Sequence, residues 1–192
     1  MHFANRNKFI FLYYISFAVI AAGAVIGSLY YTLNFFGDRE SALHINDYIN
    51  SLKSGMDIKP IIKSSIRTYS ILFLVIYISS YFKRGYIMSF FWLGRKGFIN
   101  AFTLSAILDV FGVNGVFLLL SNIPQALILL PVSALFSSSA YLYSKNKSEF
   151  NKKEKIIYII FSIVVFTTFC VCALTEGIIT TTFMKWVANK VT

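Results

Sequence analysis

Apolar residues along this chain fall into five long runs, separated by short stretches that carry most of the charge. The first run, 9–33, is twenty-five residues long and uncharged. An α-helix rises about 1.5 Å per residue, so about twenty apolar residues cross a hydrocarbon core of roughly 30 Å. Further runs of that order occupy 60–82, 94–113, 116–143 and 156–176. The pattern predicts an all-α fold, a polytopic membrane helical bundle of about five transmembrane helices, as a single membrane domain over 1–192. In the fourth run Pro124 and Pro131 lie seven apart, on one face, and predict a helix kinked by both prolines.

The polar stretches complete the map. Residues 36–59 form the one sizeable loop, placed outside the membrane, where Leu43, Ile45, Tyr48, Ile49 and Leu52 recur at roughly helical spacing. Gly55 is its expected stop, and Pro60 opens the second span, where a missing N–H costs nothing. Lys83-Arg84-Gly85 and Gly94-Arg95-Lys96-Gly97 bracket an aromatic segment. A basic side chain at the bilayer centre costs at least about 2.5–3.5 kcal/mol. Both pairs are therefore expected at the cytoplasmic face, with 83–93 as an interfacial elbow and Arg95 and Lys96 snorkelling to headgroups. A cytoplasmic loop, 144–155, holds five lysines.

Composition narrows the class. The 192 residues are 57% hydrophobic and 14% charged, whereas soluble domains carry roughly 25% charged residues. Soluble enzyme, secreted disulfide scaffold and disordered tail are excluded on that ground. The excess of 18 basic over 8 acidic residues, +10 in all, would suggest nucleic acid on a soluble chain. Here it reads as topology, with membrane lipids as the surrounding partner and no nucleic acid. An N-in/C-out arrangement assigns eleven basic residues to the inner side and seven to the outer. Cys170 and Cys172, two apart on one helix, point to different sides and do not bridge each other.

Candidate chemistry is sparse. No H-E-x-x-H, G-x-S-x-G, G-x-G-D or P-loop occurs, and His2 and His44 stand apart with no ligand at metal spacing. No catalytic, cofactor or metal site is expected, and the chain is not expected to be an enzyme. Gly23 and Gly27 form a G-x-x-x-G step that lets helix backbones approach closely, either within the bundle or against a partner helix. Gly112 and Gly115 frame a tight turn. Ser121, Asn122, Pro124 and Gln125 make a polar cluster with Pro131 beyond it; each proline frees a carbonyl one turn earlier, so this face looks into the bundle. The break is either a structural kink or a gating, substrate-lining one. Asp109 either reaches interfacial water, pairs with Arg67 or binds a cation, and Glu176 ends the fifth span as a similar carboxylate.

The stretch Gly112-Val113-Asn114-Gly115-Val116-Phe117-Leu118-Leu119-Leu120-Ser121-Asn122-Ile123-Pro124-Gln125, continuing through Leu129-Leu130-Pro131, resembles the stage II sporulation protein M family. It has that family's two-glycine turn, then a helix with a Pro-Gln step and a second proline seven on. Weaker echoes are Gly23 to Gly27, Leu93 to Gly97 and Phe183-Met184-Lys185, while Lys83-Arg84 departs from the family's more apolar pattern. Span order and loop lengths extend the similarity over nearly the whole chain, and 112–136 is its specific part. The resemblance implies a non-catalytic scaffold in the bacterial cell membrane. It would recruit or anchor membrane-anchored peptidoglycan hydrolases, stage II sporulation proteins D and P, for septal wall remodelling and engulfment during endospore formation. The competing expectation, from the broken fourth span and Asp109, is a permease-like subunit of a membrane transporter.

Overall fold

The computed structural model describes residues 3–37, 47, 58–112, 116, 123–146, 150–180 and 182. Over these residues the chain is all-α, with no strand among them. Five helices follow one another: α1 (Phe3–Asn34), α2 (Ile58–Ser79), α3 (Tyr86–Phe111), α4 (Ile123–Asn146) and α5 (Lys152–Thr175), the last running into a π-helical turn, Glu176–Thr180. Among the described residues, four stretches are long and apolar enough to cross a membrane: Asn7–Asn34, Lys59–Ser79, Ala126–Asn146 and Lys152–Ile178. That is compatible with a multi-pass membrane protein. Four of the five expected spans meet that measure; α3 has the length, and Arg95 and Lys96 interrupt its centre.

Each helix buries one stripe. On α1 the buried positions are Leu12, Ser16, Ile20, Gly23, Gly27 and Tyr31, the 3–4 spacing of a single face. On α5 they are Tyr158, Ser162, Val165, Phe169, Cys172 and Ala173. The outward sides are as apolar as the core; Phe11, Val25, Leu29 and Leu33 on α1 and Ile157, Ile163 and Val171 on α5 are exposed. Small buried serines let the helices close up. Ser16, Ser138 and Ser162 each donate to a carbonyl four residues earlier on their own helix, which satisfies the hydroxyls without water.

Contacts between helices fix their sense. Gly23 lies on Gly94, Gly27 on Phe98 and Tyr31 on Phe102, so α1 and α3 run parallel. Phe73 stacks on Phe136 and Tyr81 meets Tyr143, so α2 and α4 run together. Tyr77 stacks on Tyr158, Tyr69 meets Phe169 and Ile62 meets Gly177, so α5 opposes α2. Ser79 and Ser89 share a hydroxyl hydrogen bond beside the tight turn 80–85, which makes α3 oppose α2 as well. The core that results is filled by Tyr69, Ile76, Leu93, Leu129, Phe136 and Phe169, all at most 2% exposed.

Several boundaries move from their expected places. Residues 86–93, expected as part of an elbow outside the third span, are the first turns of α3, and the break shrinks to 80–85. Gly85 allows this. A Cβ there would strike the Ser79 carbonyl, so only glycine lets the chain fold back so tightly. Helix α5 begins at Lys152 rather than 156 because Asn151 caps it and its backbone N–H donates to Glu154 Oε2 at 3.2 Å. It therefore takes up part of the loop expected at 144–155, as α4 does by running to Asn146. Gly112 ends α3 with φ +53°, its N–H donating to the Leu108 carbonyl at 2.8 Å. Pro131 lies inside α4. Gly115, Ser121, Asn122, the side chains of Pro124 and Gln125, and all but a few residues of the 36–59 loop lie outside the described residues.

Candidate functional site

The glycine seam sets the depth of everything around it. On α3, Gly94 and Gly97 answer Gly23 and Gly27 of α1: a Cβ on Gly23 would strike the Gly94 carbonyl, one on Gly27 the Phe98 carbonyl, and one on Gly97 the Ile20 carbonyl. The two backbones are in direct contact, which assigns the G-x-x-x-G step to packing within the chain. Ser28 and Ser105 extend the seam, with a hydroxyl hydrogen bond of 3.1 Å.

Because Gly94 faces Gly23, Arg95 and Lys96 sit within about 7 Å, along the axis, of the middle of the Asn7–Asn34 apolar stretch at 1.5 Å per residue. They lie level with the middle of that stretch, not with one of its ends. The physical reason lies in what surrounds Lys96. It is largely buried, and its ammonium stands 5.0 Å from the centre of the Tyr69 ring on α2. A desolvated cation–π contact of this kind contributes about 2 kcal/mol, which offsets part of the cost of burying the ammonium. Glu176, on the π-helical turn after α5, lies near enough to act electrostatically on Lys96 without a direct ion pair. The buried Tyr69 hydroxyl makes no hydrogen bond, and Glu176 lies near enough to act on it electrostatically. Three helices thus converge on one cation, one carboxylate and one phenol.

Arg95 points the other way. It is exposed on α3, with its guanidinium 4.9 Å from the centre of the Trp92 indole and no ion pair to any described carboxylate. Asp109 is used differently from either pairing proposal. Its Oδ2 accepts from the Tyr31 hydroxyl at 2.8 Å and from the Gly37 N–H at 3.1 Å, tying the end of α3 to the end of α1. Arg67 is exposed on α2 and makes no ion pair with Asp109, so that expected pair is corrected. At the opposite end of the bundle, Tyr77 and Tyr81 share a hydroxyl hydrogen bond of 2.7 Å and Ser144 donates to the Phe82 carbonyl at 2.6 Å. Partial burial, with the Tyr77 hydroxyl beside it, holds the Tyr81 phenol above its usual range.

Among the described residues no group of three or more His, Cys, Asp or Glu could hold a metal ion. Sequence reasoning did not join Lys96, Tyr69 and Glu176. One signal was available: Gly94 and Gly97 flank the basic pair, and small residues let helix backbones approach closely. No protein-family model, curated protein or solved structure matches the chain.

Proposed function

We propose that this chain is a non-catalytic scaffold of a bacterial cell membrane, with five helices crossing the bilayer N-in/C-out. The observation that carries the reading is the continuous apolar core. Aromatic and aliphatic side chains close the interior between α2, α4 and α5, and the buried serines whose bonds are described bond to their own helices or to one another, so the bundle's apolar outer faces are left to meet lipid and partner helices. Alternating helix senses support an odd number of crossings, with the two ends of the chain on opposite sides. Moving Arg95 and Lys96 to mid-depth leaves nine basic residues inside against seven outside, the same preference on a smaller margin.

The partners proposed are membrane-anchored peptidoglycan hydrolases acting in engulfment during sporulation, and this step rests on the resemblance at 112–136. The test is co-purification of the tagged full chain from detergent-solubilised membranes of sporulating cells. Wall hydrolases recovered in stoichiometric amount support the scaffold; transporter ATPases in their place overturn it. The Lys96–Tyr69–Glu176 cluster favours a second reading, a permease-like subunit, because ionisable residues inside membranes often mark ion paths. A proton or solute flux through vesicles containing the chain, abolished by Glu176→Gln, would support that reading over the scaffold.

A further inference from the structure

Arg95 lies on an outward stripe of α3. Met88, Phe91, Arg95 and Ile99 fall within one arc of the helix at 3–4 spacing, and all four are exposed. The opposite side of the helix, Ser89, Leu93 and Gly97, is buried against the bundle. Arg95 is nine residues into α3, about 13 Å from its first residue at 1.5 Å per residue. Its side chain leans toward the helix N-terminus and spans only about one further turn, so it falls short of a headgroup layer level with Lys83 and Arg84. Trp92 covers one face of the guanidinium. Its in-plane N–H donors find no described acceptor, although a planar fork of that kind matches a carboxylate two bonds at a time.

Resting on the scaffold reading, we infer that this stripe is a docking surface for a transmembrane helix of another protein, one that carries a carboxylate near the middle of its span. Charge complementarity selects the occupant. A wholly apolar helix would leave the guanidinium unpaired in lipid. A second copy of this chain offers a poor match: Glu176 is partly buried on the turn that ends α5, and Asp109 is tied to Tyr31 and Gly37 at the helix end. The apolar residues above and below Arg95 give the partner helix a packing surface, and the arginine fixes its register.

The test uses the full-length chain in phosphatidylcholine vesicles at pH 8 with a fluorescent, lysine-flanked polyleucine peptide bearing one central glutamate. Energy transfer from labelled chain to peptide reads association. Control peptides carry leucine or glutamine at the centre, or the glutamate near one end. The central-glutamate peptide is expected to associate about three- to thirtyfold more tightly than the leucine peptide, the range of polar contacts between membrane helices. Arg95→Gln should remove that preference and Arg95→Lys keep part of it, with unchanged helix content by circular dichroism. Equal association of all peptides, or a preference that survives Arg95→Gln, overturns the proposal. So does Arg95-dependent energy transfer between two labelled copies of the chain without peptide, which makes a second copy the occupant. Failure here leaves the hydrolase co-purification free to succeed, so the two readings fail separately.

Discussion

Adding one methyl group to the α1–α3 seam should weaken the whole bundle. In Gly23→Ala the new Cβ falls on the Gly94 carbonyl, with the Gly94 Cα only 3.0 Å away. The obstacle is backbone, so no side-chain rotation relieves it. The helices must part locally by about 1 Å to reach ordinary contact. A gap of that size forfeits a quarter to a half of each van der Waals well of about 0.1–0.2 kcal/mol. Spread over a few tens of atom pairs along the seam, the loss is about 1–3 kcal/mol, the usual range for overpacking. Apolar burial provides no compensation in lipid, where packing itself drives helix association. The control is Ala22→Leu, a larger addition on the exposed side of the same helix. Unfolding in mixed micelles gives the stability difference. A disulfide between Ser28→Cys and Ser105→Cys, whose hydroxyls stand 3.1 Å apart, reports the local spacing once Cys170 and Cys172 are changed to serine. Gly23→Ala should lower stability by about 1–3 kcal/mol and slow the cross-link, and Ala22→Leu should do neither. Equal stability and equal cross-linking in the two variants would refute the backbone-contact account of the seam.

Other consequences follow from the charged groups. Lys96→Met and Glu176→Gln should each destabilise the bundle, while the double variant loses less than their sum, by about 0.5–3 kcal/mol as for neighbours that couple; a double-mutant cycle in micelles measures it, and strict additivity would separate the two residues. Asp109→Asn removes a charged acceptor shared by Tyr31 and Gly37, and should cost about 1.5–3 kcal/mol and speed amide exchange at the α1 end; unchanged exchange of the Gly37 amide would count against it.

Local patterns in the sequence were good guides where the physics is local. The helix-ending role of Gly112 needs only a left-handed turn, and the close approach at Gly23 and Gly27 needs only small residues four apart. The apolar runs located three of the four membrane-length helices to within a few residues; of the run at 116–143, residues 117–122 lie outside the described residues. What was not legible depends on neighbours distant in sequence. A one-dimensional charge penalty pushes Lys96 to an interface, because the Tyr69 ring and the Glu176 carboxylate that offset it belong to other helices. Asp109 could be placed at a helix end, yet its partners, a tyrosine on α1 and the amide of Gly37, follow only from the parallel pairing of α1 and α3. Asn151 and Glu154 carry the Asn-x-x-Glu start signal of α5, which the expectation of a lysine-rich loop over 144–155 did not use.

The depth of α3 decides the account most directly, since both the buried cluster and the docking stripe depend on its crossing the bilayer beside α1. A nitroxide attached at Ile99→Cys, in the variant lacking Cys170 and Cys172, reports that depth in phospholipid vesicles. High collision rates with dissolved oxygen and low rates with a water-soluble nickel chelate are the expected result, matching a label at Ile26→Cys on α1. A label at Ile99 as accessible to the chelate as one at Lys83→Cys would contradict the account.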